Sequence, residues 1–249
     1  MMTDPVGDTV RGTSEISARR TLNEIIRTFR GRRLGALRRL FRMDDDGVSL
    51  RSISEEALER ALSNPNITDD ERSLARGYVQ VINSTRVHYV TMVRVKGRIG
   101  ELAQRLGGGF ALQGDPGDWS RVAEYVEEHP ESMGGGLNVP TQTDGSYTFL
   151  LYDAKSGAML DDYVDRRTGG YVLKLSSTGE RLAHELLGHG LGREVGSPTS
   201  RALDAIQLTN LYLRVIGEQS YYRDGRSHGG GAQSADDATG VPYYLQRPR

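Results

Sequence analysis

No cysteine occurs anywhere in the 249 residues. Disulfides and thiolate metal sites are therefore excluded, and any metal must be held by His, Asp or Glu. No apolar run approaches the roughly 20 residues that a membrane-spanning helix needs. The first residues, Met1-Met2-Thr3-Asp4-Pro5, lack the basic-then-apolar pattern of a secretory signal, so export without a cleaved signal peptide is expected if the chain leaves its cell. The formal net charge of -1 implies no global electrostatic partner. Apolar residues make up 37% and charged residues 26%, a polar composition that still allows a folded core. There is no internal repeat. Histidine is scarce: His88, His129, His184, His189 and His228 are the whole inventory, and two of them share one short motif.

Residues 1 to 15, rich in Gly, Thr, Asp and Pro, read as a flexible arm or junction. Residues 16 to 133 read as a mainly helical region. Within it, Leu22, Ile25, Ile26, Phe29, Leu37, Leu40 and Phe41 recur at helical spacing among nine arginines from Arg19 to Arg42. This basic amphipathic helix, broken near Gly31 or Gly35, is either a solvated face or a surface for an acidic partner, membrane or nucleic acid. Ser54 suits the N-cap of a helix ending near Leu62, and a further helix starts near Thr68, with Asp69, Asp70 and Glu71 suiting its dipole, and runs to about Ile82. Val87 to Val95 fits a strand or a buried helix, and Asp118 to Glu128 a helix. Gly107-Gly108-Gly109 lacks the Lys-Ser/Thr of a phosphate loop and reads as a turn. After Gly134-Gly135-Gly136 the pattern becomes β. Tyr147 to Tyr152 and Met159 to Val164 are expected to pair as a hairpin, and Tyr171 to Leu175 follows as a strand. Helices over 178 to 191 and 200 to 216 complete a region spanning 134 to 228, and a mobile Gly-rich tail is expected from 229 to 249.

The motif is His184-Glu185-Leu186-Leu187-Gly188-His189. Catalytic zinc takes three protein ligands and leaves a position for water. The common motif sets two histidines four residues apart on one helix face, with a glutamate beside the first as general base. Here they are five apart. On a regular helix each residue turns about 100°, so the two rings would point roughly 140° apart. One π-type insertion absorbs the extra residue and returns both rings to one face. The spacing therefore predicts a locally widened helix. The plainer alternative, two surface histidines on a regular helix, is opposed by the preceding strand, by the apolar Leu186-Leu187 pair and by the acidic helix downstream.

The run His184 to Gly190 resembles the zinc motif of the dipeptidyl peptidase III family, which carries the same inserted residue. That family's second motif contains cysteine, which this chain cannot supply. Over roughly residues 171 to 228 the chain resembles the metallopeptidase domains of Rhs-associated polymorphic toxins and related bacterial effectors. The matching pieces are a strand, Leu182-Ala183-His184-Glu185, a glycine at 192 or 196, then Asp204-Ala205 and Asn210-Leu211-Tyr212. The family usually has Glu where Asp204 stands. Asp4-Pro5-Val6-Gly7 is similar to the junction joining such toxin domains to their carriers. The resemblance implies an α+β, zincin-like peptidase domain acting on a target-cell protein or peptide. It also implies synthesis in a bacterial cytoplasm and a cognate immunity protein as partner.

A histidine at position 195 would mark another protease class, but that residue is Val195. Asp204, Glu194 and Glu218 remain as third-ligand candidates, with Asp204 favoured because its helix has an apolar side suited to packing beside the motif. A helix-start residue satisfying the dipole is the alternative for Asp204. In the expected chemistry, Zn2+ polarises the scissile carbonyl and acidifies a water to a pKa of about 7. Glu185 takes the proton and returns it to the leaving amine. Tyr221, Tyr222, Arg223 and His228 are candidate donors to the oxyanion, with His228 and Tyr221 ranked first. Asn210 is a candidate to orient a ligand histidine. Two rival functions stand beside this one: a housekeeping or exopeptidase-like metallopeptidase, and a binding module working through the basic helix. Nucleic acid is not an expected partner of the peptidase.

Overall fold

Capping chemistry sets out the N-terminal helices. The computed structural model describes residues 10–94, 136–140, 145–152, 160–197, 201–226 and 235–246. Strand β1 (Val10–Gly12) leads into α1 (Glu15–Thr28), whose first turn is closed by the Ser14 hydroxyl accepting from the Ser17 amide. The arginine-rich segment is broken where expected, at Gly31, whose φ of 99° only glycine adopts without strain. A 3-10 turn (Arg32–Leu34) and α2 (Gly35–Leu40) follow. Next come α3 (Glu55–Leu62), capped by Ser54, and α4 (Asp69–Ile82), whose start is a full capping box of Thr68 and Glu71. Arg20 donates to the Met92 carbonyl and Arg33 pairs with buried Glu71, so part of the basic segment is spent on holding the fold.

The segment after α4 is a strand, β2 (His88–Arg94). It runs parallel to both β1 and β4 (Ser146–Tyr152), with His88 opposite Ser146. β3 (Gly136–Pro140) is antiparallel to β4 and closes the order β1-β2-β4-β3. Strands from both sides of residue 134 thus share one sheet. β5 (Leu160–Asp165) pairs with β6 (Tyr171–Leu175) and with β7 (Tyr221–Tyr222) in a second sheet. The expected hairpin between β4 and β5 does not form. Both edges of β4 are already taken by β2 and β3, and Ser146 to Leu150 are all buried, as befits an interior strand. β5 carries Asp161 and Asp162 and belongs to a more exposed ribbon.

Helix α5 (Thr178–Leu182) opens with a capping box of Ser177 and Glu180 and runs without a break into a π-helix, Ala183–Leu191, and then α6 (Gly192–Glu194). α7 (Arg201–Val215) packs along the π-helix. The chain ends in α8 (Ala235–Thr239) and α9 (Tyr243–Gln246). Residues 235–246 are packed rather than loose, for Ala238 and Leu245 are buried. Asn210 and Gln207 bind the carbonyls of Ala238 and Asp237. The apolar core runs from Val10 through Phe29, Tyr78 and Leu187 to Leu245. The architecture is α+β, and among the described residues no helix is long and apolar enough to cross a membrane. The expected helix at 118–128, the glycines at 107–109, His129, and the ends at 1–9 and 247–249 lie outside the described residues.

Candidate metal centre

The widened helix expected from the histidine spacing is present, and it is longer than one inserted residue requires. Nine residues, Ala183–Leu191, are in π conformation. Bonding from i to i+5 puts residues five apart on one face. The rings of His184 and His189 accordingly lie 5.1 Å apart between centroids, at 80° to each other. Two imidazoles on one tetrahedral zinc, with Zn–N distances of about 2.0–2.1 Å, have centroids roughly 5 Å apart. The separation of the pair matches that value.

The tautomer of His184 follows from its neighbour. Its Nδ1 lies 2.8 Å from Oγ1 of Thr209, and that hydroxyl donates its single proton to the Ala205 carbonyl at 3.0 Å. The Thr209 oxygen must therefore accept from Nδ1–H, which leaves the lone pair of His184 on Nε2. Orientation of a ligand histidine through its second nitrogen is the usual arrangement at metal sites. Asn210, expected in that role, instead exchanges hydrogen bonds with the backbone of Arg223 and holds the Ala238 carbonyl. Nothing in the sequence distinguished Thr209 from its neighbours, because the contact is across two helices.

Glu185 is buried beside β3: a methyl group on Gly136 would lie 3.0 Å from its Cγ and Oε1. Burial pushes its pKa up to about 7, opposed by the guanidiniums of Arg181 and Arg223. Those two arginines share one carboxylate. Asp161 Oδ2 is 2.9 Å from Arg181, and Oδ1 is 3.2 Å from Arg223. Below them Tyr163 donates to buried Glu180, whose pKa burial also raises. Asp161 and Arg181 had no distinguishing motif, and Arg223 was a candidate donor ranked behind His228 and Tyr221.

The remaining candidates fall in different places. Asp204 is fully buried on α7, and a methyl on Gly192 would lie 3.1 Å from its Oδ2, which puts it about one turn beyond His189 along the same helical run. Glu194 accepts from His88 Nε2 at 3.0 Å, and Glu218 pairs with Lys174. Tyr221 lies in β7 with the Lys174 ammonium 5.0 Å from its ring centre. His228 lies outside the described residues. Among the described residues no group of three or more His, Cys, Asp or Glu side chains suited to a metal ion is found. His184 and His189 are brought together, and among the described residues no carboxylate is grouped with them as a metal-binding set.

Comparison with known proteins adds nothing to this geometry. No family model, curated protein or solved structure matches the chain.

Proposed function

We propose that this chain is a zinc-dependent metallopeptidase of zincin-like type, and that it acts as a bacterial effector or toxin on a protein of a target cell. The observation that carries the enzymatic part is the π-helix, which brings His184 and His189 to a separation suited to two zinc ligands, with Glu185 next to His184 in the sequence. The effector part rests on the sequence resemblance over residues 171 to 228, as does a cognate immunity protein.

His184 and His189 would hold the ion. Asp204 is the best placed of the three candidate carboxylates, since its Oδ2 lies beside Gly192, three residues beyond His189. When bound, zinc supplies a Lewis acid at the scissile carbonyl and an acidified water. The chain's own groups account for the rest. Glu185, with a pKa about 7, both accepts and releases a proton near neutrality. β3 is an edge strand among the described residues, and its first residue touches Glu185. An extended peptide added along that edge would pass the base. Arg223, buried and within electrostatic reach of Glu185, is a source of positive charge for an oxyanion.

The purified protein is expected to hold about one zinc per chain, and His184→Ala and His189→Ala to hold none. Glu185→Gln should keep the metal while losing peptide hydrolysis and any toxicity on expression in a bacterium. A parent protein with no zinc after loading and dialysis would remove the peptidase reading and favour a binding module. A zinc-loaded, hydrolytic but non-toxic parent would favour the housekeeping alternative.

A further inference from the structure

The C-terminal segment touches the metal helix at its most unusual point. π-Helices occur mostly as single turns, so a nine-residue run needs support from outside. Were the helix to relax to α geometry, His184 and His189 would swing apart. Whatever favours π over α therefore raises the fraction of molecules able to bind a metal, and the apparent affinity in proportion.

The last π-type bond runs from the Gly192 amide to the Leu187 carbonyl. That same carbonyl accepts a second hydrogen bond, 2.9 Å long, from the hydroxyl of Tyr244 on α9. Gly192 is crowded from the same side, since a methyl there would lie 3.4 Å from the Tyr244 hydroxyl and 3.1 Å from Asp204 Oδ2. α9 is anchored independently by buried Leu245, which packs against Gly77 of α4. The hydroxyl thus reaches the metal helix from a fixed base.

We propose that Tyr244 is a positioning residue for the metal centre: by bonding Leu187, its hydroxyl holds the π turn that aligns His184 with His189. This rests on the zinc reading above. The C-terminal segment then belongs to the site, although it contributes no ligand.

The test is the zinc affinity of Tyr244→Phe, measured on the full chain by competition with a chromophoric chelator. The ring is kept and only the hydroxyl is lost. Affinity should fall roughly threefold to tenfold, the worth of one net hydrogen bond, while Tyr243→Phe, at an exposed neighbouring position, leaves it unchanged. Two further readouts separate positioning from general weakening. The Co2+-loaded variant should show altered visible bands, and the Gly192 amide of the metal-free variant should exchange severalfold faster while distant core amides do not. Zinc affinity and Gly192 exchange equal to the parent's would overturn the proposal and leave the zinc reading intact. A parent that takes up no zinc would overturn both.

Discussion

A Gly188→Ala variant should unfold about 2 kcal/mol more easily than the parent, against the usual sign of such a change. In an ordinary helix interior, Ala is favoured over Gly by about 1 kcal/mol. Gly188 lies on the face of the π-helix that meets Ala205 of α7. A Cβ there would sit 2.4 Å from Ala205 Cα and 2.8 Å from its Cβ. The obstruction is backbone, not the end of a side chain that can turn away, so the two helices must separate. Overpacking of this kind costs about 1–3 kcal/mol, and more when backbone moves. Separation also pulls Thr209 from His184 Nδ1, since Thr209 lies one turn beyond Ala205. Zinc affinity should then drop by about 10–100-fold, as for other lost outer partners of ligand histidines. Urea unfolding and chelator competition measure the two effects. Gly170→Ala, whose nearest new contact is a side-chain oxygen at 3.4 Å, is the control and should change neither. Unchanged stability of Gly188→Ala would mean that the helices do not approach as closely as described.

The same contrast between local and long-range information explains what could be read in advance. The Ser54 cap, the acidic first turn of α4 and the break at Gly31 are local chemistry that follows from a few adjacent residues. The widened turn was also legible, because five-residue spacing of two ligand-type side chains is a local fact with a single geometric remedy. Strand pairing was not. β4 and β5 look like hairpin partners from their separation alone, and only the arrival of β2, more than fifty residues upstream, takes the edge that β5 would have used. Thr209 on His184, Asp161 between Arg181 and Arg223, and Tyr244 on Leu187 are contacts between elements distant in the chain. A Gly-rich approach made residues 235–246 look loose, yet Ala238 and Leu245 have core positions that no periodicity in so short a stretch could announce.

Asp161→Ala is expected to destabilise the fold by about 3 kcal/mol, near the lower end of the range for breaking a buried ion pair. The side chains of Asp161, Arg181 and Arg223 are only 13%, 7% and 9% exposed, so solvent screens them little. Removing the carboxylate leaves two buried guanidiniums without the group they share. The lower end of the range applies because Glu180 and Glu185 lie near enough to offset part of the loss. That compensation has a functional consequence. Burial raises the pKa of Glu185 most, the two arginines lower it and Asp161 adds to the rise, so deleting Asp161 shifts the balance toward the arginines. The acid limb of any Glu185-dependent hydrolysis should therefore move to lower pH, even as the protein becomes less stable. High salt should not restore stability, since Debye screening acts poorly on buried charges. Replacing all three residues with apolar side chains of similar volume should recover much of the loss, as it removes the desolvated charges together. Recovery of that kind, with Glu185 pushed back up by burial alone, would separate the role of the triad in stability from its role in setting the base.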